Sequence, residues 1–310
     1  MKRSRLATMM VAGALLLAAP AFSQGANATG QGKAVVTVFT RHSEIAPNIS
    51  QQDLAVKVNG KDAGVTGWTP LSGANDGLEL VFLIDSAARN LGRQFDDIKQ
   101  FVQGLGPHAR VAVGYMQNGR AVLAGPLTAD HAQIMSELHI QAGPGSSAYF
   151  SLSDLAQHWP SGERGVRREV VLVGDGIDPT NPSLDLDDTY VQAAITDSVR
   201  AGLVVYAIYW QTHPSTTTAT AANGGQSLLS EVTQATGGYS YGSGMGNPVS
   251  FQPFLEDLAR RLDNQYEIDF TARLDKKAAV ENMKLKVTGL SLEVTAPQQV
   301  FVDRAGAGAQ

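Results

Sequence analysis

Leu78-Glu79-Leu80-Val81-Phe82-Leu83-Ile84-Asp85-Ser86 decides the fold. It is an apolar run that ends on one carboxylate. A run of this length without alternation reads as a strand buried on both faces of a sheet. Its last residue then stands at the carboxyl edge, where open α/β sheets place their ligands. Glu169-Val170-Val171-Leu172-Val173-Gly174-Asp175-Gly176 repeats the design. Two buried strands therefore deliver Asp85 and Asp175 to one edge, the beginnings of a divalent-metal site.

Outward from these runs, strand and helix alternate. Leu91, Phe95, Ile98, Val102 and Leu105 share one helical face. Ala109 to Met116 is a strand, and Asn118-Gly119 turns it into an antiparallel edge strand, Ala121 to Leu127. Helices are expected over Asp130 to Leu138, Ser147 to His158, Tyr190 to Arg200, Ser227 to Thr236 and Phe251 to Leu262. Leu203 to Tyr209 is a third buried strand. The succession predicts an α/β fold with a doubly wound, mostly parallel, Rossmann-type sheet flanked by helices over residues 78–264.

The flanks differ in character. Residues 24–32 are polar and Gly-rich, which reads as a flexible lead-in. Ala34 to Thr40 is strand-like, and Leu54 to Val58 alternates before Asn59-Gly60, a strong hairpin signal. After the last helix, Tyr266 to Phe270, Met283 to Val287 and Leu292 to Val294 alternate with no helix between them. Residues 33–77 are thus an N-terminal β segment and linker. Residues 265–303 are a C-terminal β segment expected to pack with 33–70 as one small β-sandwich. Residues 304–310 are Ala/Gly-rich and read as a disordered tail.

Lys2, Arg3 and Arg5 precede the apolar stretch Leu6 to Ala19, the pattern of a signal peptide over residues 1–23. Cleavage fits after Ser23, with Ala21 the other small-x-small site; an uncleaved membrane anchor is the rival reading. The chain has no cysteine, so lipoprotein attachment and disulfides are excluded. A periplasmic or secreted protein with no membrane span after cleavage is expected. Loss of the three leader cations takes the formal charge from −5 to −8, and no basic run remains. Nucleic acid is therefore a poor partner.

Two motifs fail on context. Gly238-Tyr239-Ser240-Tyr241-Gly242 fits a serine-nucleophile elbow, but a helix precedes it and a loop follows, the reverse of what the elbow needs. The last histidine is His213, so none follows Ser240. Gly143-Pro144-Gly145-Ser146-Ser147-Ala148 mimics a dinucleotide fingerprint but does not follow the first strand of a βαβ unit. The six histidines offer no helical i,i+4 zinc pair.

Leu80 to Ser86, Ser146-Ser147-Ala148, Val171 to Gly176 and Thr236-Gly237-Gly238-Tyr239 resemble, in order and spacing, the landmarks of a von Willebrand factor A (vWA, VWFA) domain. The chain resembles the exported vWA-related proteins common in acidobacteria. It shares with them an N-terminal strand pair, the Asn264-Gln265-Tyr266 run and a terminal β segment with Ala296-Pro297. The resemblance covers about residues 33–302. It implies a metal-ion-dependent adhesion site (MIDAS) of Asp-x-Ser-x-Ser, a Thr from a later loop and a final Asp. Asp85 and Asp175 match, and Ser147 stands for the Thr. Ala87 and Arg89 occupy the two serine positions, and Ser86 is one residue out of register. The site is thus expected to be degenerate, formed by Asp85, Ser86, Ala87, Arg89, Ser147 and Asp175. Any metal would rest on Asp85, Ser147 and Asp175. No cofactor is expected beyond weak Mg²⁺ or Ca²⁺. Arg89 is expected to fold over the site and pair with Asp85 or Asp175 in place of the ion.

The resemblance implies a non-enzymatic protein-binding module that works through the carboxyl edge. The expected rims are Ser86 to Asn90, Gly143 to Ala148, Ile177 to Asp188 and Gln211 to Gly225, with Thr212 to Ala222 a mobile loop. Asp178, Asp185, Asp187 and Asp188 lack the spacing of an EF-hand. The alternatives are an envelope assembly protein acting through its β-sandwich, and a serine hydrolase using Ser240.

Overall fold

Alternate residues of an extended chain point to opposite faces, so a strand apolar at every position must be covered on both sides. In the computed structural model Leu78–Asp85, here β4, has all eight residues buried. Leu80, Phe82 and Ile84 enter one core, and Val81 and Leu83 enter the other. The structure describes residues 28–40, 49–140, 143, 145–213, 215–242, 244–274, 278–288 and 292–304. The expected signal peptide and residues 305–310 of the expected tail lie outside them.

Three strands precede β4: β1 (Ala28–Thr40), β2 (Leu54–Val58) and β3 (Lys61–Pro70). Beside β4 lie β5 (Ala109–Gln117) and β7 (Arg167–Gly174), both parallel to it. β8 (Leu203–Tyr209) and the short β9 (Ser240–Tyr241) continue in parallel, and β6 (Arg120–Leu123) is an antiparallel edge. The order is β6-β5-β4-β7-β8-β9. This is the doubly wound order, with the first α/β strand central and the winding reversed between β4 and β7. Helices α1 (Gly92–Gly104), α2 (His131–Glu137) and α6 (Gln252–Asp263) cover one face. Helices α3 (Ala148–Gln157), α4 (Thr189–Ala201) and α5 (Ala219–Thr236) cover the other.

The flanking strands do not form a sandwich. With β1–β3 they include β10 (Gln265–Leu274), β11 (Ala279–Val287), β12 (Leu292–Thr295) and β13 (Gln299–Arg304). Strand order runs β10-β3-β2-β11-β13-β1, and β1 pairs again with β10, so six strands close into an antiparallel barrel. β12 pairs with the far end of β1. Closure removes open edges that a two-sheet sandwich would leave. Val36, Val38, Val56, Ile268, Phe270 and Val302 fill its interior.

The flexible lead-in also needs correction over residues 28–32, which belong to β1. Gly30 and Gly32 are buried while Thr29 and Gln31 are exposed, the alternation of a strand. A Cβ on Gly32 would lie 2.5 Å from the Phe270 ring. Glycine here makes room for an aromatic ring across the barrel. The β2–β3 hairpin turns at Asn59 and Gly60 with φ of 49° and 75°, as Asn-Gly predicts.

The halves meet at the Asn264-Gln265-Tyr266 run. The Asn264 carbonyl accepts from Val38 N at 3.0 Å. Arg167 Nη1 donates to Gln265 Oε1 at 2.7 Å, and Gln265 Nε2 donates to the Tyr206 hydroxyl at 3.1 Å. Tyr266 stacks on Trp68 with centroids 4.5 Å apart.

Candidate functional site

The switch point lies between β4 and β7, and the chain leaves both strands there on an aspartate. After Asp85 the chain turns tightly: Ala88 N donates to the Asp85 carbonyl at 3.0 Å, and Ala87 N to Asp85 Oδ1 at 2.8 Å. After β7, Ile177 N donates to Asp175 Oδ1 at 3.0 Å across Gly176, whose φ is 70°. Gly174, the last residue of β7, packs beside Asp85, where an added Cβ would lie 3.4 Å from the Asp85 Cβ. Both carboxylates are buried.

That burial governs their charge. It pushes the Asp85 carboxyl up to about 7. The backbone N–H of Ala87 acts against this, the Asp175 charge adds to it, and Ser146 N–H and the Arg89 guanidinium act against it.

Arg89 does not lie over the pair. Its Nη1 donates to the carbonyls of Ser86 at 2.6 Å and Ala88 at 3.3 Å, and its Nη2 to that of Gly143 at 3.0 Å. Among the described residues neither Asp85 nor Asp175 forms an ion pair within 4.0 Å. The expected Arg89–Asp pairing is therefore corrected. Converging carbonyls of two loops attract the guanidinium, and it ties the Ser86 loop to the Gly143 loop. Ser86 is buried under Gly143, where an added Cβ would come 2.8 Å from its Oγ.

Ser147 is the N-cap of α3 and accepts from Phe150 N at 3.3 Å. Its hydroxyl also lies by Asp178. Burial acts to raise the Asp178 pKa, and the nearby Ser147 hydroxyl together with hydrogen bonds from the Thr180 hydroxyl and the Thr180 and Asn181 N–H groups outweighs it, holding it below the usual range; Asp178 Oδ2 has no hydrogen-bond partner among the described residues. Thr212, which ends the neighbouring β8 loop, donates its hydroxyl to Asp175 Oδ2 at 2.5 Å. Nothing in the residues around Thr212 signals this, because the contact depends on β8 lying next to β7.

The donor set does not fit a divalent cation. Ala87 offers no oxygen from its side chain, Arg89 brings a positive charge, and the Ser147 hydroxyl caps α3. Asp85 Oδ1 and both Asp175 oxygens already accept hydrogen bonds. No group of three or more His, Cys, Asp or Glu side chains suited to a metal occurs among the described residues. The structure brings Asp85, Asp175, Ser147 and Arg89 to one edge but gives each a protein partner.

The expected rim loop Gln211 to Gly225 is shorter than the composition suggested. Thr218 caps α5, accepting from Ala221 N at 3.2 Å, so residues 219–225 are helical. Gly225 is a packing glycine: a Cβ there would fall 2.0 Å from the Asp175 carbonyl oxygen.

No family model matches the chain, and no curated protein matches it. Solved structures do show likeness. BatB from Bacteroides thetaiotaomicron has a TM-score of 0.44 and 15% identity over 60% of this chain and 97% of its own. Proximal thread matrix protein 1 from the mussel byssus, described with a zinc-occupied MIDAS motif, has a TM-score of 0.44 and 15% identity over 66% of this chain and 50% of its own. The SpRpn10 VWA domain has a TM-score of 0.39 and 12% identity over 59% of this chain and 93% of its own. Scores and identities this low leave the fold resting on its own strand order. Among the described residues no helix is long and apolar enough to cross a membrane.

Proposed function

We propose that this chain is an exported vWA-like, non-enzymatic protein-binding module with a degenerate metal site. It engages a protein partner through the carboxyl edge of its doubly wound sheet. One observation carries the reading: Asp85 and Asp175 end the adjacent strands β4 and β7 at the switch point, the place where such sheets take ligands, with Asp85 Oδ1 and both Asp175 oxygens accepting hydrogen bonds from the protein. A site held this way needs no ion to keep its shape.

The hydrolase reading has no support in the placement of Ser240, which lies in β9. Assembly by strand addition loses its main surface, since the barrel is closed. The absence of cysteine allows a direct test. Cysteine is placed at exposed Thr189 beside the edge, or at exposed Lys284 on the barrel, and coupled to a bulky maleimide. The labelled proteins are used to capture partners from periplasmic extract in EDTA. Capture lost with the Thr189 label and kept with the Lys284 label is expected. The opposite pattern would transfer the function to the barrel.

A further inference from the structure

The edge carries an exposed apolar face next to a loop whose charges are all acidic. Phe150 and Tyr190 sit in the first turns of α3 and α4, with ring centroids 4.6 Å apart, and are 37% and 42% exposed. The loop leading into α4 adds Leu184 and Leu186, 36% and 42% exposed. Leu184 lies over Gly224 of α5, and the Leu186 carbonyl accepts from Gln192 of α4, so an exposed ring pair with an exposed leucine on the loop into the same helix is the kind of surface that marks an interaction site.

The same loop alternates these leucines with acids: Leu184-Asp185-Leu186-Asp187-Asp188. Residues 175–188 contain five aspartates and no lysine, arginine or histidine. Asp188 is used as the α4 N-cap, accepting from Tyr190 N at 2.9 Å, and accepts from Asn181 Nδ2 at 2.9 Å. Asp185 and Asp187 are exposed. The Asp185 carboxylate accepts from the backbone N–H of Asp187, and neither acid forms an ion pair among the described residues.

We propose that the Phe150–Tyr190–Leu186 face docks a basic, apolar polypeptide segment of the partner, with its lysines or arginines on Asp185 and Asp187. The inference rests on the edge-binding reading above and adds the polarity of the ligand. This edge has no fitting metal donor set and presents exposed carboxylates, so a cationic segment is the complement. The aromatic pair supplies the apolar anchor and cation–π faces.

The test uses two fluorescent synthetic peptides in EDTA, one alternating lysine with leucine and its twin with glutamate for lysine. The lysine peptide is expected to bind and the glutamate twin not to. Asp185→Asn with Asp187→Asn should weaken binding about tenfold and flatten its salt dependence. Leu186→Ala with Tyr190→Ala should weaken it by a similar factor while leaving the salt dependence. Asp62→Asn with Asp96→Asn removes the same charge from sites 87% and 76% exposed elsewhere and should change nothing. Equal binding of the twins, equal loss in the Asp62/Asp96 variant, or a requirement for Mg²⁺ would overturn the proposal. A Thr189 label that blocks natural capture alongside such a result would spare the edge-binding reading and reject only this one.

Discussion

Glu169 is the residue with the sharpest electrostatic consequence. It is fully buried in β7, at the junction with the barrel. Burial pushes its carboxyl up to about 7, and the Arg167 charge and the Gln265 amide beside it act the other way without offsetting this. A carboxyl raised in the folded state favours folding most fully below its ordinary range, near 4.5, and loses that contribution as pH rises towards 7. The loss is on the order of 3 kcal/mol. Thermal melts should therefore show a smaller fall between pH 4.5 and 7 in Glu169→Gln than in the native chain, and a higher Tm for the variant at pH 8. Identical pH profiles would show that Glu169 does not titrate there. Arg89 supports a second expectation. Arg89→Ala should lower stability by about 1 kcal/mol, since its hydrogen bonds join two loops at an exposed position. Added Mg²⁺ should not restore it, because removing the guanidinium creates no ligand. Ala87→Ser with Arg89→Ser should gain a Mg²⁺-dependent rise in Tm; a flat response would mean that the carboxylates are too committed to their backbone donors. The two aspartates were legible because each ends an apolar run. The Arg89 contacts were not, because they depend on carbonyls of a loop distant in sequence, and charge alone pointed the guanidinium at the wrong oxygens.

At the scale of elements, the α/β half was readable and the barrel only partly so. β4, β7 and β8 announce themselves by unbroken apolar runs, and helices such as α1 by a single apolar face. Ala34 to Thr40 was legible as strand, but the start of β1 hides because its inward positions 30 and 32 are glycines, which read as linker. Barrel closure hides as well: alternation gives each strand a wet and a dry face but says nothing about which strand is its second neighbour. The glycine reading can be checked. Gly32→Val should cost roughly 1–3 kcal/mol by forcing the Phe270 ring aside. Phe270→Leu, costly by itself, should recover part of that loss when combined with it. Purely additive losses in denaturant melts would mean that the two positions do not share one space.

Across the whole molecule, β1 lies between β10 on one side and β13 with β12 on the other, so the first strand depends on the last ones. A chain ending at residue 264 should leave residues 28–70 open to protease while residues 78–264 stay protected, as isolated hairpins are marginal in water. Full protection of 28–70 in that truncation would make the N-terminal strands self-sufficient. The connection between β3 and β10 has a kinetic consequence. These strands pair directly, Pro70 opposite Tyr266, although the entire α/β half separates them in sequence. Topologically that half is one long excursion from a hairpin. Closing so long a connection as loose chain is slow and entropically unfavourable. Once the excursion has folded, its entry and exit stand side by side, with Leu71 N on the Gln265 carbonyl at 2.9 Å, and the search for the barrel's central pairing shrinks to a local one. The topology thus predicts that the α/β half folds first and brings the barrel's distant strands into register, which refolding followed by hydrogen exchange would show as earlier protection of 78–264 than of the barrel strands.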